Sequence, residues 1–150
     1  MKDSHGRVID YMRISLTDRC NYRCIYCMPA DGVTSLCHSD ILSLEEIERV
    51  VRVAATMGIK RFRLTGGEPL VRKGAVDLVR AIHETPGVDD VSLTTNGVLL
   101  PKYAEGLASA GLSRVNISLD TLDPEQFRYI TRRGELHEAI DGIDAALATG

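Results

Sequence analysis

The chain has 150 residues, of which 44% are hydrophobic and 26% are charged, and its formal net charge is −3. This composition is typical of a soluble globular domain and gives no electrostatic footprint for nucleic acid or an anionic membrane. No apolar run is long enough to span a bilayer, and residues 1–7 lack the apolar core of a signal peptide. The sequence therefore predicts a cytoplasmic protein, in which four cysteines favour metal binding or redox chemistry over disulfides.

Strand-like and helix-like segments alternate along the chain. The first helix is the clearest, because Ser43 and Glu46 form a capping box and Gly58 is placed to end it. In chain order we expect a strand at 11–17, this first helix, a strand at 61–65, a helix at 74–84, a strand at 91–95, a helix at 101–111, a strand at 114–119, and helices at 125–131 and 135–149. This order predicts right-handed βαβ units and a parallel sheet, hence the α/β class.

The predicted strands alternate between apolar and polar side chains. In the first strand Met12, Ile14 and Leu16 would share one face, and Arg13 and Ser15 the other. A parallel strand buried on both faces normally reads as a continuous apolar run, so the pattern favours a sheet curled around a polar, ligand-holding interior. An antiparallel sheet with one wet face would show the same alternation, but the helices between the strands disfavour it.

The most distinctive loops follow these strands, at the carboxyl edge where ligands bind in α/β sheets. They lie at 20–27, 66–69, 96–97 and 120–124. In the first of them, Cys20, Cys24 and Cys27 have the spacing C-x₃-C-x₂-C. Thiolates this close suit a soft, compact centre such as an iron–sulfur cluster. Three ligands on a four-iron cluster would leave one iron open to a small molecule.

Zinc is the main competing metal for these three cysteine ligands. Structural zinc sites usually close with four ligands from paired knuckles, and here the fourth would have to be Cys37 or His38. Buried structural cysteines are a further alternative, disfavoured because a polar loop is expected to give them nothing apolar to contact. Cys37 itself is interpreted as a free thiol.

The cysteine loop, with Tyr26 before its last cysteine, resembles the signature of radical S-adenosylmethionine enzymes. Residues 66–69, Gly-Gly-Glu-Pro, resemble the second motif of that superfamily. Within the superfamily, the resemblance is closest to the GTP 3′,8-cyclase family of molybdenum cofactor biosynthesis. The matching segments are 11–29, 63–72, 94–97 and 116–120. The resemblance implies a partial (β/α) barrel and covers essentially the whole chain.

The resemblance also implies roles for individual residues. A [4Fe–4S] cluster would be ligated by Cys20, Cys24 and Cys27. S-adenosylmethionine would be bound by Tyr26, Gly67, Glu68 and Ser118. GTP would be bound by Arg13, Arg63 and Thr94. From the residues alone, Glu68 would be interpreted as a surface carboxylate, the two arginines as solvated or paired, and Thr94 and Ser118 as strand formers or partners in local backbone hydrogen bonds.

In the reaction that this resemblance implies, one electron cleaves S-adenosylmethionine and gives a 5′-deoxyadenosyl radical. The radical removes hydrogen from C3′ of GTP, and the ribose radical then closes onto C8 of guanine. One further electron and a proton would complete 3′,8-cyclo-7,8-dihydro-GTP. Because the cofactor carries this chemistry, no side chain is predicted to be catalytic. An electron donor is the other implied partner, and neither nucleic acid nor a membrane is expected.

The sequence departs from the cyclase family at its end. The chain stops at Gly150, where a fifth strand would be expected, and family members continue into a C-terminal region with a second three-cysteine cluster. We therefore expect residues 1–150 to form a single partial domain that does not cyclise GTP alone. Two other functions stay open: another radical S-adenosylmethionine enzyme, such as a peptide-modifying one, and a non-catalytic metal-binding module.

Overall fold

Four strands and five helices make up the regular structure of the part of the chain that the computed structural model describes, residues 2–34 and 36–150. The side chain of His38, one of the two alternatives for a fourth zinc ligand, also lies outside the description. In chain order the elements are β1 (Tyr11–Ser15), α1 (Leu44–Thr56), β2 (Arg61–Thr65), α2 (Ala75–His83), β3 (Asp90–Thr95), α3 (Leu100–Ser109), β4 (Arg114–Ile117), α4 (Pro124–Thr131) and α5 (Leu136–Leu147). Short 3₁₀ turns occupy His38–Asp40 and Pro69–Val71. None of the helices within the described ranges is long and apolar enough to cross a membrane.

The four strands form one parallel sheet in the order β1-β2-β3-β4, which confirms the predicted α/β fold class. Each new strand joins the same edge of the sheet. Right-handed crossovers that always advance in one direction place the connecting helices on a single face. That face carries the main hydrophobic core, in which Phe62, Leu64, Val91 and Leu93 are fully buried against the helices.

The opposite face of the sheet is the predicted polar face. In the strand register Arg13 lies beside Arg63, which lies beside Ser92, and Thr94 lies beside Asn116. Arg13 and Asn116 are exposed, whereas Ser92 is fully buried. The Ser92 hydroxyl accepts a hydrogen bond from Nε of Arg63 (3.4 Å) and donates one to the Phe62 carbonyl (3.3 Å).

Two strands end earlier than predicted, and in each case the last residues of the predicted strand belong to the loop that follows it. β1 stops at Ser15 instead of residue 17 because the chain turns after Leu16, and the Thr17 carbonyl accepts a hydrogen bond from the amide of Gly67 (2.7 Å). β4 stops at Ile117 instead of residue 119, although the Ser118 amide still donates to the Thr95 carbonyl at 2.9 Å. The other element boundaries agree with the predictions to within two residues.

The predicted capping box is present at the start of α1. The amide of Glu46 donates to the Ser43 hydroxyl (3.2 Å), and the Ser43 amide donates to Oε2 of Glu46 (2.7 Å). These two bonds satisfy backbone donors that the first turn of a helix leaves free. Local sequence chemistry therefore fixes where α1 begins.

α5 closes over the turn that follows β3. A Cβ atom built on Gly142, in the middle of α5, would lie 2.1 Å from the carbonyl oxygen of Gly97. Since this neighbour is backbone, it has little freedom to move away. A Cβ atom on Gly106, in the middle of α3, would meet only Val76 methyl groups, at 3.6 Å and 3.9 Å.

We predict opposite effects for alanine at these two helix glycines. Gly106→Ala should raise the free energy of unfolding by about 0.5–1 kcal/mol, because alanine loses less backbone entropy in a helix. Gly142→Ala should lower it by about 1–3 kcal/mol through overpacking against Gly97. Urea denaturation of both variants measures these changes in the free energy of unfolding. Equal changes would show that α5 does not pack tightly against the turn at Gly97.

Candidate functional site

The cysteine loop, residues 18–28, lies across the carboxyl ends of the strands. Its first residues contact the loop after β2, where the amide of Glu68 donates to the Arg19 carbonyl at 2.8 Å. It also reaches the loop after β3, where Nδ2 of Asn96 donates to Oδ1 of Asn21 at 2.7 Å. One hydrogen bond between backbone groups and one between side chains thus connect three segments that are far apart in the sequence.

The same loop reaches the end of the fourth strand. The hydroxyl of Tyr26 donates to Oδ2 of Asp120 at 2.7 Å, three residues beyond the end of β4. Partial burial, and then this donated hydrogen bond, raise the pKa of the Tyr26 phenol above its ordinary value. The loops after all four strands therefore meet around the cysteines.

The three cysteines differ in their surroundings. Cys20 and Cys24 are half-buried and Cys27 is exposed. Cys20 and Cys24 pack against an apolar cluster built on Tyr22 and Phe127, so the expectation that the loop offers them nothing apolar was wrong. The loop sequence gave no sign of this because Phe127 comes from α4, about a hundred residues later.

Burial controls the protonation of these thiols. It raises the pKa of both Cys20 and Cys24 above the ordinary thiol value. The amide of Tyr22 lies 3.4 Å from Sγ of Cys20 and acts in the opposite direction, since an amide donor favours the thiolate. Among the side chains that the structure describes, which leave out those of residues 1, 35 and 38, no three from His, Cys, Asp or Glu are gathered in an arrangement that could hold a metal ion.

Buried polar atoms without a partner are concentrated in the cysteine loop. Within the described part of the chain, the buried side-chain atoms that have no hydrogen-bond partner are Oδ1 of Asp18, the Tyr22 hydroxyl and Nε of Arg23. Such atoms cost free energy and are rare in folded proteins, so three of them within six residues mark a strained or functional segment. Together with three thiols of soft donor character, the loop fits an iron–sulfur cluster.

The second motif packs directly onto the start of this loop. A Cβ atom on Gly67 would lie 2.3 Å from the carbonyl oxygen of Arg19, so no larger residue fits at this position. The backbone of Gly67 remains exposed on its other side. A ligand can therefore approach that backbone closely, as the sequence analysis expected of these glycines.

Glu68 is not the surface carboxylate that its residue type alone suggests, because its side chain is 1% exposed. Oε1 accepts hydrogen bonds from the amide of Leu70 (3.0 Å) and the hydroxyl of Thr95 (2.8 Å). Oε2 accepts a hydrogen bond from the amide of Asn96 (2.8 Å). Burial nevertheless raises the pKa of the carboxyl group, with these three hydrogen bonds opposing the shift.

The residues expected to contact GTP and S-adenosylmethionine are spread over the polar face. Arg13 and Arg63 are adjacent in the strand register, and the guanidinium of Arg63 also lies 5.7 Å from the centre of the Tyr11 ring. Thr94, near the carboxyl end of β3, is half-buried, and Ser118, just beyond β4, is exposed. These four side chains share one face of the sheet, as predicted from the alternation.

Three polar residues that hold the site together were given no role by the sequence analysis. They are Asn21, Asn96 and Asp120, which join the cysteine loop to the ends of β3 and β4. Asn96 and Asp120 lie in loops that the sequence analysis had marked as distinctive. Their partners come from residues 75 and 94 positions away, so only the folded structure pairs them.

Comparison with known proteins identifies the family of this chain. A family model described as the radical SAM superfamily matches residues 14–150, and the chain belongs to that superfamily. Membership implies a [4Fe–4S] cluster and S-adenosylmethionine as cofactors. The chain is 59% identical over all 150 residues to the GTP 3′,8-cyclases of Petrotoga mobilis and Pelotomaculum thermopropionicum, and it covers 46% of each. It thus spans about half the length of the curated relatives it matches.

Solved structures share the fold at much lower identity. The crystal structure of HydG, a maturase of the [FeFe]-hydrogenase, matches with a TM-score of 0.73 and 19% identity, over 93% of this chain and 33% of HydG. Methylornithine synthase matches with a TM-score of 0.72 and 17% identity, over 93% of this chain and 42% of the synthase. At such identities the likeness shows the fold alone, and it confirms the expected partial (β/α) barrel.

We predict that Glu68 makes stability depend on pH. Because its folded pKa is raised, the native state binds more protons than the unfolded state at pH values from about 4.3 upward to the folded pKa. The free energy of unfolding of the wild type should therefore fall relative to that of Glu68→Gln as the pH rises through this window.

The matched control is Glu45→Gln in the first turn of α1, where hydrogen bonds, first from the backbone and then from Ser43, lower the pKa of the carboxyl. Relative to that variant the wild type should instead lose stability as the pH falls below about 4.3. Urea denaturation between pH 3.5 and 7.5 measures both differences. A wild-type minus Glu68→Gln difference that does not change with pH would refute the prediction.

Proposed function

We propose that this chain is the cofactor-binding part of a GTP 3′,8-cyclase, a radical S-adenosylmethionine lyase of molybdenum cofactor biosynthesis. The single observation that carries the proposal is the cysteine loop lying across the strand ends beside the Gly-Gly-Glu-Pro loop. Identity of 59% over the length of this chain, which covers 46% of each relative, to cyclases from two organisms supports GTP as the substrate. The polar face below the loop offers arginines for a triphosphate.

The three thiols of Cys20, Cys24 and Cys27 are the proposed cluster ligands. Because burial raises the pKa of two of them, loading must release protons from the loop, as expected for metal binding to thiols. Bound at these thiolates with one iron open to S-adenosylmethionine, the cluster would supply the electron that cleaves the sulfonium. The protein's part is to hold the reactants and to exclude water from the reacting carbon atoms.

Tyr26, Gly67, Glu68 and Ser118 are the proposed contacts of S-adenosylmethionine. The exposed backbone of Gly67 can accept or donate hydrogen bonds close to the methionine moiety. Glu68 retains acceptor capacity on Oε2, which accepts one hydrogen bond, whereas Oε1 already accepts two. Its carboxylate can therefore stabilise the loop through these hydrogen bonds and also attract an ammonium group nearby.

Arg13, Arg63 and Thr94 are the proposed contacts of GTP. Two arginines that are adjacent in the strand register on one sheet face suit phosphate oxygens, to which arginine makes charge-assisted and often bidentate hydrogen bonds. Thr94 lies nearer the carboxyl end of its strand than Arg63 does, on the side of the cysteine loop. We therefore expect the phosphates to bind toward Arg13 and Arg63, with the ribose toward the cysteine loop.

We further propose that residues 1–150 form one partial barrel domain and that GTP turnover requires the parts of the longer relatives that this chain does not cover. The relatives are about twice as long, since the chain covers 46% of each. The C-terminal region of the relatives, with its second three-cysteine cluster, would then complete the substrate site.

The proposed cluster site predicts a clear result on reconstitution. Anaerobic loading with iron and sulfide should give about four iron ions per chain, and the reduced protein should show an electron paramagnetic resonance signal that changes on adding S-adenosylmethionine. Cys24→Ser should abolish the signal, whereas Cys37→Ser should retain it. Zinc binding without iron, or equal loss in both variants, would refute the assignment.

The proposed substrate contacts predict a loss of GTP binding in Arg63→Ala. Removing one charge-assisted contact should weaken binding by about tenfold or more. NMR-detected titration of the chain measures weak affinities of this kind. The control is Arg49→Ala, on the exposed side of α1 away from the polar face. Equal affinities of the two variants would place the triphosphate elsewhere.

A further inference from the structure

Arg132 has an unusual backbone for an arginine. It follows the last residue of α4 and adopts φ 61° and ψ −19°, which is the left-handed region, and it is the one non-glycine residue with positive φ in the described part of the chain. Such a conformation is strained for a side chain with a Cβ atom, and it persists where the surrounding structure enforces it. The amide of Arg132 stays bonded to the Arg128 carbonyl at 2.8 Å.

The side chain of Arg132 spans the cysteine loop. Its Nη1 donates hydrogen bonds to the carbonyl of Arg23 at 3.0 Å and to the carbonyl of Met28 at 2.8 Å. Arg23 immediately precedes Cys24, and Met28 immediately follows Cys27. One nitrogen atom therefore holds together the two ends of the segment that carries the C-x₂-C pair.

The end of α4 supports the same segment through its backbone. The carbonyl of Ile130 accepts a hydrogen bond from the amide of Ile25 (2.9 Å), and that of Thr131 accepts one from the amide of Arg23 (3.0 Å). Carbonyls in the last turn of a helix lack partners within the helix, so the cysteine loop satisfies them. These two bonds hold the loop on the Cys24 side, whereas the guanidinium of Arg132 extends the support to Met28, beyond Cys27.

We propose that Arg132 is a positioning residue that holds the turn carrying Cys24 and Cys27 in place for cluster binding. Within that turn, the Cys24 carbonyl accepts hydrogen bonds from the amides of Cys27 (2.9 Å) and Met28 (3.2 Å), and Arg132 holds the two ends of the turn. The proposal rests on the proposed function, because it assigns these thiols to a cluster. Its physical basis is the contact of one guanidinium nitrogen with two carbonyls on either side of the pair. The left-handed backbone is the conformation in which the side chain emerges toward the loop.

The first test uses the metal-free full chain, in which the rates of alkylation of Cys24 and Cys27 are followed by mass spectrometry with exposed Cys37 as an internal reference. Arg132→Ala and Arg132→Gly should speed alkylation of half-buried Cys24 by about fivefold to tenfold and that of exposed Cys27 by little, and Arg132→Lys should have a smaller effect. Arg133→Ala, an exposed neighbour, is the matched control and should match the wild type.

The glycine variant distinguishes a local effect on the cysteine loop from a loss of stability of the whole fold. Glycine tolerates positive φ, so Arg132→Gly should unfold at a temperature equal to or above that of Arg132→Ala. A faster alkylation shared by both variants then arises from the missing guanidinium. Rates equal to those of Arg133→Ala in both variants would overturn the proposal.

The second test uses the reconstituted chain. With S-adenosylmethionine present, the g-values of the reduced cluster should change in Arg132→Ala, return toward the wild type in Arg132→Lys and stay unchanged in Arg133→Ala. An unchanged spectrum in Arg132→Ala would overturn the role in cluster binding. If the wild type took up no iron while the alkylation difference persisted, the proposed function would fail and Arg132 would still determine the geometry of the loop.

Discussion

The carboxylate of Glu68 lies buried under the carboxyl edge of the sheet, where it accepts hydrogen bonds from the amides of Leu70 and Asn96 and from the hydroxyl of Thr95. These bonds fix the loop after β2 to the end of β3. Asn96 in turn holds Asn21 of the cysteine loop. A charge buried without such partners would be strongly destabilising, so the site depends on all three donors being in place.

The order of the strands explains why the polar side chains lie on one face of the sheet and the functional loops lie at one edge. Because β1 to β4 follow one another across the sheet, the helices cover one face and leave the other for polar side chains. The carboxyl ends of parallel strands share one edge, so the loops after all four strands meet there. The cysteine loop extends across this edge. Phe127 of α4 packs edge-to-face against Tyr22 of the loop and helps hold the loop in place.

Much of this arrangement was predictable from local patterns in the sequence. The capping box at Ser43, the alternation in β2 and the loops at the strand ends are properties of short segments, and the structure confirms them. The burial of Glu68 and the apolar contacts of Cys20 were not predictable, because their partners lie on other elements. Arg132 gave no signal either, since neither a left-handed backbone at an arginine nor a contact more than a hundred residues away leaves a pattern in the sequence.

Direct coordination of S-adenosylmethionine at a cluster held by Cys20, Cys24 and Cys27 is tested most directly by electron–nuclear double resonance. The measurement uses the reduced, reconstituted chain with S-adenosylmethionine that carries ¹⁵N in its amino group. A hyperfine coupling between that nitrogen and the cluster spin is predicted, because three protein ligands leave one iron open. An intact four-iron cluster that shows no such coupling would contradict it.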